Sequence, residues 1–290
     1  MDTVTGRFER ERPRLRAVAY RMLGSANEAD DALQEAWLRF DRTDLSDVEN
    51  VGAWLTTVVS RVCLSMLRAR RNHREEPLDG RPEPAADRRD PGQEAELADS
   101  VGLALLVVLD TLPPAERVAF VLHDTFGLPF GEIASITGRS PAAARQLASR
   151  GRRRVQGADP DADPAAGERL ARQRRVTEAF IAASRGGDLE GLIAVLDPDV
   201  VLHSDAVASP SGVALTVRGA AAVAGGARAA SARARYGSIA LVNGAPGLIM
   251  APRGRLMIAL ALTFSGDKIS QIDVIADPDR LAALDLGLLD

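Results

Sequence analysis

The residues best suited to chemistry in this chain are arginines. Lys268 is the only lysine among 36 basic residues, and the arginines bunch as Arg68-Ala69-Arg70-Arg71 and Arg150-Gly151-Arg152-Arg153-Arg154. A genome that favours arginine codons would explain the ratio of arginine to lysine but not the bunching. The formal balance is 36 basic against 40 acidic groups, a net charge of −4. Dense positive charge inside a mildly acidic chain marks a local surface for anions rather than a uniformly basic protein. Guanidinium groups fork onto phosphates and guanine edges, glutamine pairs with adenine, and serine takes either phosphate or base. Arg145, Gln146, Ser149, Arg150 and Arg152 therefore form a candidate nucleic-acid surface.

That surface needs a helix to present it. Glu132, Ile133, Ala134 and Ile136 suit a short helix, Thr137-Gly138-Arg139 a turn, and Ser140 and Pro141 the cap and first position of a second helix. The 3.6-residue period buries Ala144, Leu147, Ala148 and Val155 and exposes Ala142, Ala143, Arg145, Gln146, Ser149, Arg150 and Arg152. This is the helix-turn-helix pattern. Its bland alternative is a short helical hairpin in a core, with a solvated basic tail.

Two further helical faces carry polar groups. Asn27 suits the N-cap of Glu28–Phe40, whose inner face is Ala29, Leu33, Ala36, Trp37 and Phe40; Asp30, Asp31, Gln34 and Glu35 then point outward. A helix from Ala53 to about Arg71 buries Leu55, Val58, Val59, Val62 and Met66 and presents Thr57, Arg61, Arg68 and Arg71. Upstream, Phe8–Leu23 reads as a helix ended by Gly24-Ser25, and Trp37 and Trp54 read as core residues beside apolar neighbours.

The length of 290 residues suits more than one domain, and 46% apolar with 26% charged residues excludes a disordered or fibrous chain. The single cysteine, Cys63, forms no intramolecular disulfide and no zinc site, which suggests a reducing compartment. The charged start lacks a signal peptide's apolar core, and no apolar run reaches the roughly 18 residues of a bilayer span. A cytoplasmic location without membrane contact is expected. Glu75–Gln93 and Gly157–Gly167, rich in proline, glycine and charge, read as linkers. After the second, Glu168–Arg185 and Leu189–Leu196 read as helices. Strand-like runs follow at Val200–His203, Gly212–Val217, Ile239–Val242, Gly247–Met250, Leu256–Phe264 and Lys268–Ile275, with a short helix at Ala220–Ala230. Helices followed by strands suggest an α+β domain with a curved antiparallel sheet.

Three segments in order, Asn27–Phe40, Asn50–Arg71 and Leu109–Val155, resemble a bacterial sigma factor of the extracytoplasmic-function (ECF) group, which keeps only the sigma-two and sigma-four domains. Residues 168–290 resemble the SnoaL-like α+β cone appended to one subgroup. The implied fold class is multidomain: two all-α sigma domains, the second with the helix-turn-helix, then the cone. The implied boundaries are 1–76 for sigma-two, 77–97 for a linker, 98–157 for sigma-four, 158–167 for a linker and 168–290 for the cone.

The resemblance gives Asp30, Asp31, Gln34 and Glu35 to the clamp of core RNA polymerase. It gives Asn50, Trp54, Thr57, Arg61 and Arg68 to melting and reading the minus-ten promoter element. Ser140, Ala142, Arg145, Gln146, Ser149, Arg150 and Arg152 fall to the minus-thirty-five element. Pro82, Glu83 and Pro84, with Asp205 and the terminal Asp277-Pro278-Asp279-Arg280-Leu281, match that subgroup's regulatory segments in part: the Asp205 segment keeps the acid and lacks the glycines.

The expected function is to direct core polymerase to promoters and help open them, with activity modulated by the cone and no reaction catalysed. No cofactor or metal is expected. One rival is a one-component helix-turn-helix regulator that senses a small-molecule ligand through the cone. Another is a cone isomerase using His203, Asp205 and Asp273 for proton transfer. Neither rival has use for the N-terminal helices.

Overall fold

The computed structural model describes residues 4–43, 48, 50–75, 102–157, 164–230, 237–251 and 255–289. Pro82, Glu83 and Pro84, expected as regulatory contacts, lie outside them. The chain forms two compact units. One takes in the described residues up to Gly102 together with Leu112–Arg152; the other combines Leu103–Thr111 with the described residues from Arg153 onward.

The first unit begins with three helices, α1 (Val4–Leu23), α2 (Ala26–Asp41) and α3 (Val51–Glu75), which pack pairwise. Leu15, Val18, Ala19 and Met22 of α1, Ala29, Leu33 and Ala36 of α2, and Leu55, Val59, Val62 and Cys63 of α3 are buried between them. Phe8, Trp37, Phe40 and Trp54 form a chain of aromatic contacts with ring centroids 5.0–6.0 Å apart. The cap of α2 is Ser25 rather than Asn27: its Oγ accepts from the Glu28 N–H, so the helix starts a residue before the expected Asn27 cap.

Past Leu112 the unit continues with α5 (Pro114–Phe120), which passes directly into a π-helical turn at Val121–Thr125, then α6 (Phe130–Thr137) and α7 (Pro141–Gln156), whose residues from Arg153 belong to the second unit. Gly138, in the left-handed region at φ 69°, ends α6 and turns the chain into α7. Ser140 caps α7 by accepting from the Ala143 N–H at 3.2 Å.

The second unit holds α4 (Leu103–Thr111), α8 (Pro164–Gly186), α9 (Leu189–Val195), α10 (Ala220–Ala229), α11 (Pro278–Ala282) and a seven-stranded sheet. The strands are β1 (Leu196–Ser204), β2 (Leu215–Arg218), β3 (Gly237–Val242), β4 (Ala245–Met250), β5 (Ile258–Ser265), β6 (Lys268–Ile275) and β7 (Leu286–Gly287), in the order β2-β1-β6-β5-β4-β3-β7. One face packs under the helices through Phe180, Ile181, Leu192, Val200, Leu248, Ile269 and Ile272. Two expectations are corrected. The sheet is mixed, because β1 pairs with β6 in parallel, and Pro164–Gly167 belongs to α8 rather than to a linker. Proline tolerates the first turn of a helix, where its missing N–H is not needed, so composition alone misplaces that boundary.

Cys63 is fully buried, and burial pushes its thiol up to about 12. Since the thiolate is the reactive species, iodoacetamide at pH 8 should leave the native protein unmodified and alkylate it at one site only in denaturant. Rapid native alkylation followed by mass spectrometry would contradict this packing.

Candidate nucleic-acid and protein interfaces

On α2, Asp31, Gln34 and Glu35 are exposed, as the helical period requires. Asp30 is not a free outward acid. Arg16 of α1 donates from Nε and Nη2 to its two carboxylate oxygens at 2.9 and 3.3 Å, so it ties α2 to α1. Glu35 accepts from Arg39 at 3.0 Å, a helical i,i+4 pair worth a few tenths of a kcal/mol. Glu28 holds Arg70, whose guanidinium also donates to the Leu23 carbonyl at the negative end of α1.

A cavity of about 460 Å³ opens between α2 and α3, lined by Glu35, Leu38, Arg39, Arg42, Thr43, Trp54, Val58 and Arg61. It brings Trp54 and Arg61 beside Glu35. Reading the two faces separately missed Leu38, Arg39, Arg42, Thr43 and Val58. The available signal was Leu38, a leucine on the outward side of α2, which is 43% exposed.

The other minus-ten candidates have local work. Asn50 caps α3, with Oδ1 accepting from the Ala53 N–H at 3.0 Å, and the Thr57 hydroxyl donates to the Ala53 carbonyl at 3.1 Å. Arg61 donates to the Ser135 carbonyl on α6 at 2.9 Å, and Arg68 is exposed.

On α7, Ala142, Arg145, Gln146 and Ser149 are exposed together, while Ala143 is half-buried. The guanidinium of Arg145 lies 5.2 Å from the Phe130 ring, and Phe130 stacks on His123 at 4.0 Å. His123 is fixed in turn by Nδ1 against the Leu128 carbonyl at 3.0 Å. The π-helical turn carries both His123 and Asp124, so one local rewinding sets the platform under Arg145 and the partner of Arg152.

Arg150 and Arg152 are not wholly available to a ligand. Arg150 Nε donates to the buried Glu116 at 2.8 Å and Arg152 Nε to Asp124 at 2.7 Å, linking α7 to α5 and the π turn. Sequence periodicity placed these arginines on the right helix but could not see the acids 34 and 28 residues away.

In the second unit, Asp205 anchors backbone. Its Oδ1 accepts from the Ala208 N–H at 2.8 Å, and its Oδ2 from the Ala276 and Asp277 N–H groups at 2.9 and 3.0 Å. Arg280 stands 3.4 Å away. Burial pushes this carboxyl up, but the N–H donors of Asp277, Ala208 and Ala276 and the Arg280 charge outweigh it and hold it below the usual carboxylate range. Asp277 caps α11 by accepting from the Asp279 and Arg280 N–H groups. Proline at 278 and the acid at 279 thus form the first turn of a helix that the sequence reading did not assign.

Beyond α11 the chain returns as β7 on β3, and the Leu288 N–H donates to the Val155 carbonyl at the end of α7 at 2.6 Å. Gly157, at φ 57°, lies where a Cβ would meet Leu241 and the Gly287 backbone, so no larger residue fits this crossing.

His203 and Asp273 are register partners on β1 and β6. His203 is exposed, with Nδ1 3.0 Å from the Thr216 hydroxyl, and Asp273 accepts from Gln271 at 2.8 Å. Strand alternation points them away from the helix-covered core that holds Val200 and Ile272.

Known proteins match both helical segments of the chain. The family model "Sigma-70 region 2" matches residues 7–73, and "Sigma-70, region 4" matches residues 102–155. The chain is 38% identical over 302 residues to the ECF RNA polymerase sigma factor SigJ of Mycobacterium tuberculosis, covering 94% of this chain and 91% of that one. It is 35% identical over 288 residues to the probable ECF RNA polymerase sigma factor SigI of the same organism, covering 98% and 96%. The crystal structure of Mycobacterium tuberculosis SigJ aligns with a TM-score of 0.46 at 35% identity, over 95% of this chain and 97% of that one.

The geometry separates two kinds of α7 arginine. Arg150→Ala removes the ion pair that Arg150 makes with the buried Glu116 and should cost about 1–3 kcal/mol of stability. Arg145→Ala removes an exposed side chain and should stay within about 0.5 kcal/mol of the parent. Urea unfolding of both variants checks the difference, and equal losses would mean the Glu116 pair is not structural.

Proposed function

This chain belongs to the ECF sigma factors of RNA polymerase, and we propose how its parts divide that work. The protein directs core polymerase to promoters. In our reading Asp31, Gln34 and Glu35 meet the polymerase, and Asp30 braces their helix through Arg16. Trp54, Arg61 and Arg68 face the minus-ten element from α3, with Asn50 and Thr57 shaping that helix. Arg145, Gln146 and Ser149 read minus-thirty-five base edges. Arg150 and Arg152 hold α7 to its own domain and add positive potential, while Arg153 and Arg154 face the phosphates.

The observation that carries the reading is the exposed row on α7 beside an arginine already oriented by Phe130. Ordering that side chain before it meets DNA reduces the entropy lost on binding. Promoter-dependent transcription from purified core polymerase plus this chain, and none from core alone, tests the whole assignment. Its absence would favour a one-component regulator.

We assign the second unit a regulatory rather than a catalytic role. His203 and Asp273, the nearest approach to an acid–base pair there, lie on the sheet face away from the packed interior. The role needs no small-molecule ligand, because Phe180, Leu192, Ile269 and Ile272 fill the helix-covered face. Regulation runs instead through the tail: Asp205 fixes α11, α11 directs β7, and the residue after β7 bonds the end of the recognition helix.

Two measurements follow. Asp31→Arg with Glu35→Arg should weaken core binding by about 1 kcal/mol or more, since like charges would then meet; unchanged affinity removes the docking assignment. Ending the chain at Ala276 frees the recognition helix and should raise promoter activity. Ending it at Gly157 strips α4 of the strands it packs on and should lower activity. Equal transcription from all three lengths would show that the C-terminal unit does not regulate.

A further inference from the structure

The first half of α8 is a helix without a core. From Ala165 to Arg175 none of its residues is buried; burial begins at Thr177 and continues with Phe180, Ile181 and Ala183, which pack on the sheet side. A helical segment that is polar all round has to find its stability or its use elsewhere. This one is also lopsided in charge, with Arg169, Arg172, Arg174 and Arg175 against Glu168. Arg174 donates to Glu178 one turn on at 2.9 Å. Arg169, Arg172 and Arg175 are exposed, and among the described residues none of the three has a hydrogen-bond or ion-pair partner. Spaced by three, they share one broad helix face about 9 Å long.

The end of α7 belongs to the same compact unit, and with it Arg153 and Arg154. Both helices are fastened to β3: Gly157, just past α7, lies against Leu241, and Arg185 near the end of α8 donates to the Gly237 carbonyl at 2.6 Å. The chain between Gly157 and the start of α8 at Pro164 reaches at most about 25 Å. Those connecting residues bring Asp159, Asp161 and Asp163, so the stretch from Arg153 to Arg175 holds six arginines and four acids. So small a surplus steers little from a distance. The exposed arginines act at contact, on a helix that is already formed.

We propose that α8 is a second DNA-contacting helix, in which Arg169, Arg172 and Arg175 bind backbone phosphates of the duplex beside the minus-thirty-five element while α7 occupies the element itself. The proposal rests on the reading that α7 addresses that element. Phosphates repeat every 3.4 Å of axis along one strand, so a row about 9 Å long meets two or three of them. Such contacts carry no base information; they add affinity and fix the register of the protein on the duplex. The C-terminal unit then has a direct share in holding the promoter, separate from what its tail does at Val155.

The test uses holoenzyme assembled from core polymerase and the full chain, bound to promoter DNA across a salt series. The triple variant Arg169→Gln, Arg172→Gln, Arg175→Gln removes the three charges and keeps helix propensity. The slope of log affinity against log salt should become shallower by about two to three, close to one per lost phosphate contact. Hydroxyl-radical footprinting should show lost backbone protection beside the minus-thirty-five element and nowhere else, and the ranking of different minus-thirty-five sequences should not change. Arg169→Lys, Arg172→Lys, Arg175→Lys should restore the slope, since a point charge suffices for a phosphate. An unchanged slope and footprint in the glutamine variant overturn the proposal. So does a fall in core affinity with the DNA slope intact, which would make α8 a polymerase contact. Arg145→Ala holoenzyme with an unaltered minus-thirty-five preference would overturn the reading of α7, while the footprint beside the element still reports the α8 contact on its own.

Discussion

An arginine cannot shed its charge, and the fold is organised by where each guanidinium finds compensation. Inside a protein an unpaired charge costs several kcal/mol, so each buried or half-buried arginine must sit against a carboxylate, a carbonyl or a ring. Arg16 takes Asp30 and joins α1 to α2; Arg70 takes Glu28 and the Leu23 carbonyl and joins α3 to the α1–α2 corner. Arg150 takes Glu116 and joins α7 to α5. In a chain with one lysine, the flexible, strongly hydrated alternative is nearly absent, and these forks double as interhelical struts. The exposed arginine surface is what remains once the struts are subtracted.

That subtraction marks the limit of what the sequence made legible. Helical periodicity found the buried face of α7 at Ala144, Leu147, Ala148 and Val155, because one period over a 16-residue helix is a strong signal. It could not separate Arg145 from Arg150, which share a side of the helix. Only the fold brings Glu116 to one and Phe130 to the other. The same reasoning explains Asp30, whose partner Arg16 is 14 residues upstream on another helix. Local patterns report which face a residue occupies, whereas ion pairs between helices depend on packing that no window of sequence contains.

The second unit divides along a similar line. Its strands from β3 to β6 were visible as runs of β-branched and aliphatic residues, within two residues at either end. The parallel pairing of β1 with β6 was not, since strand direction is set by connection and packing rather than composition. The tail was obscured for another reason. Pro278 and Asp279 suggest a loop, yet with Asp277 as cap they open a helix, and β7 is two residues long. An element that short has no periodicity to detect.

Asp205 shows how a residue singled out for one chemistry serves another. An acid beside a histidine on a strand end suggests proton transfer, but a general acid must hold its proton near the working pH. Three N–H donors and a guanidinium do the reverse and keep Asp205 ionised. With its folded value below the unfolded one, the carboxylate stabilises the domain above the unfolded pKa near 4 and loses that contribution only as pH falls through the folded value. Across the neutral range the anchor is therefore constant, neither donating protons nor sensing pH. A constant anchor suits a part whose task is positional: it fixes the start of α11, α11 fixes the approach of β7, and β7 determines whether Leu288 can reach the Val155 carbonyl. Within the second unit, which takes in the chain from Arg153 onward, the tail thereby meets Val155 through the Leu288 backbone hydrogen bond.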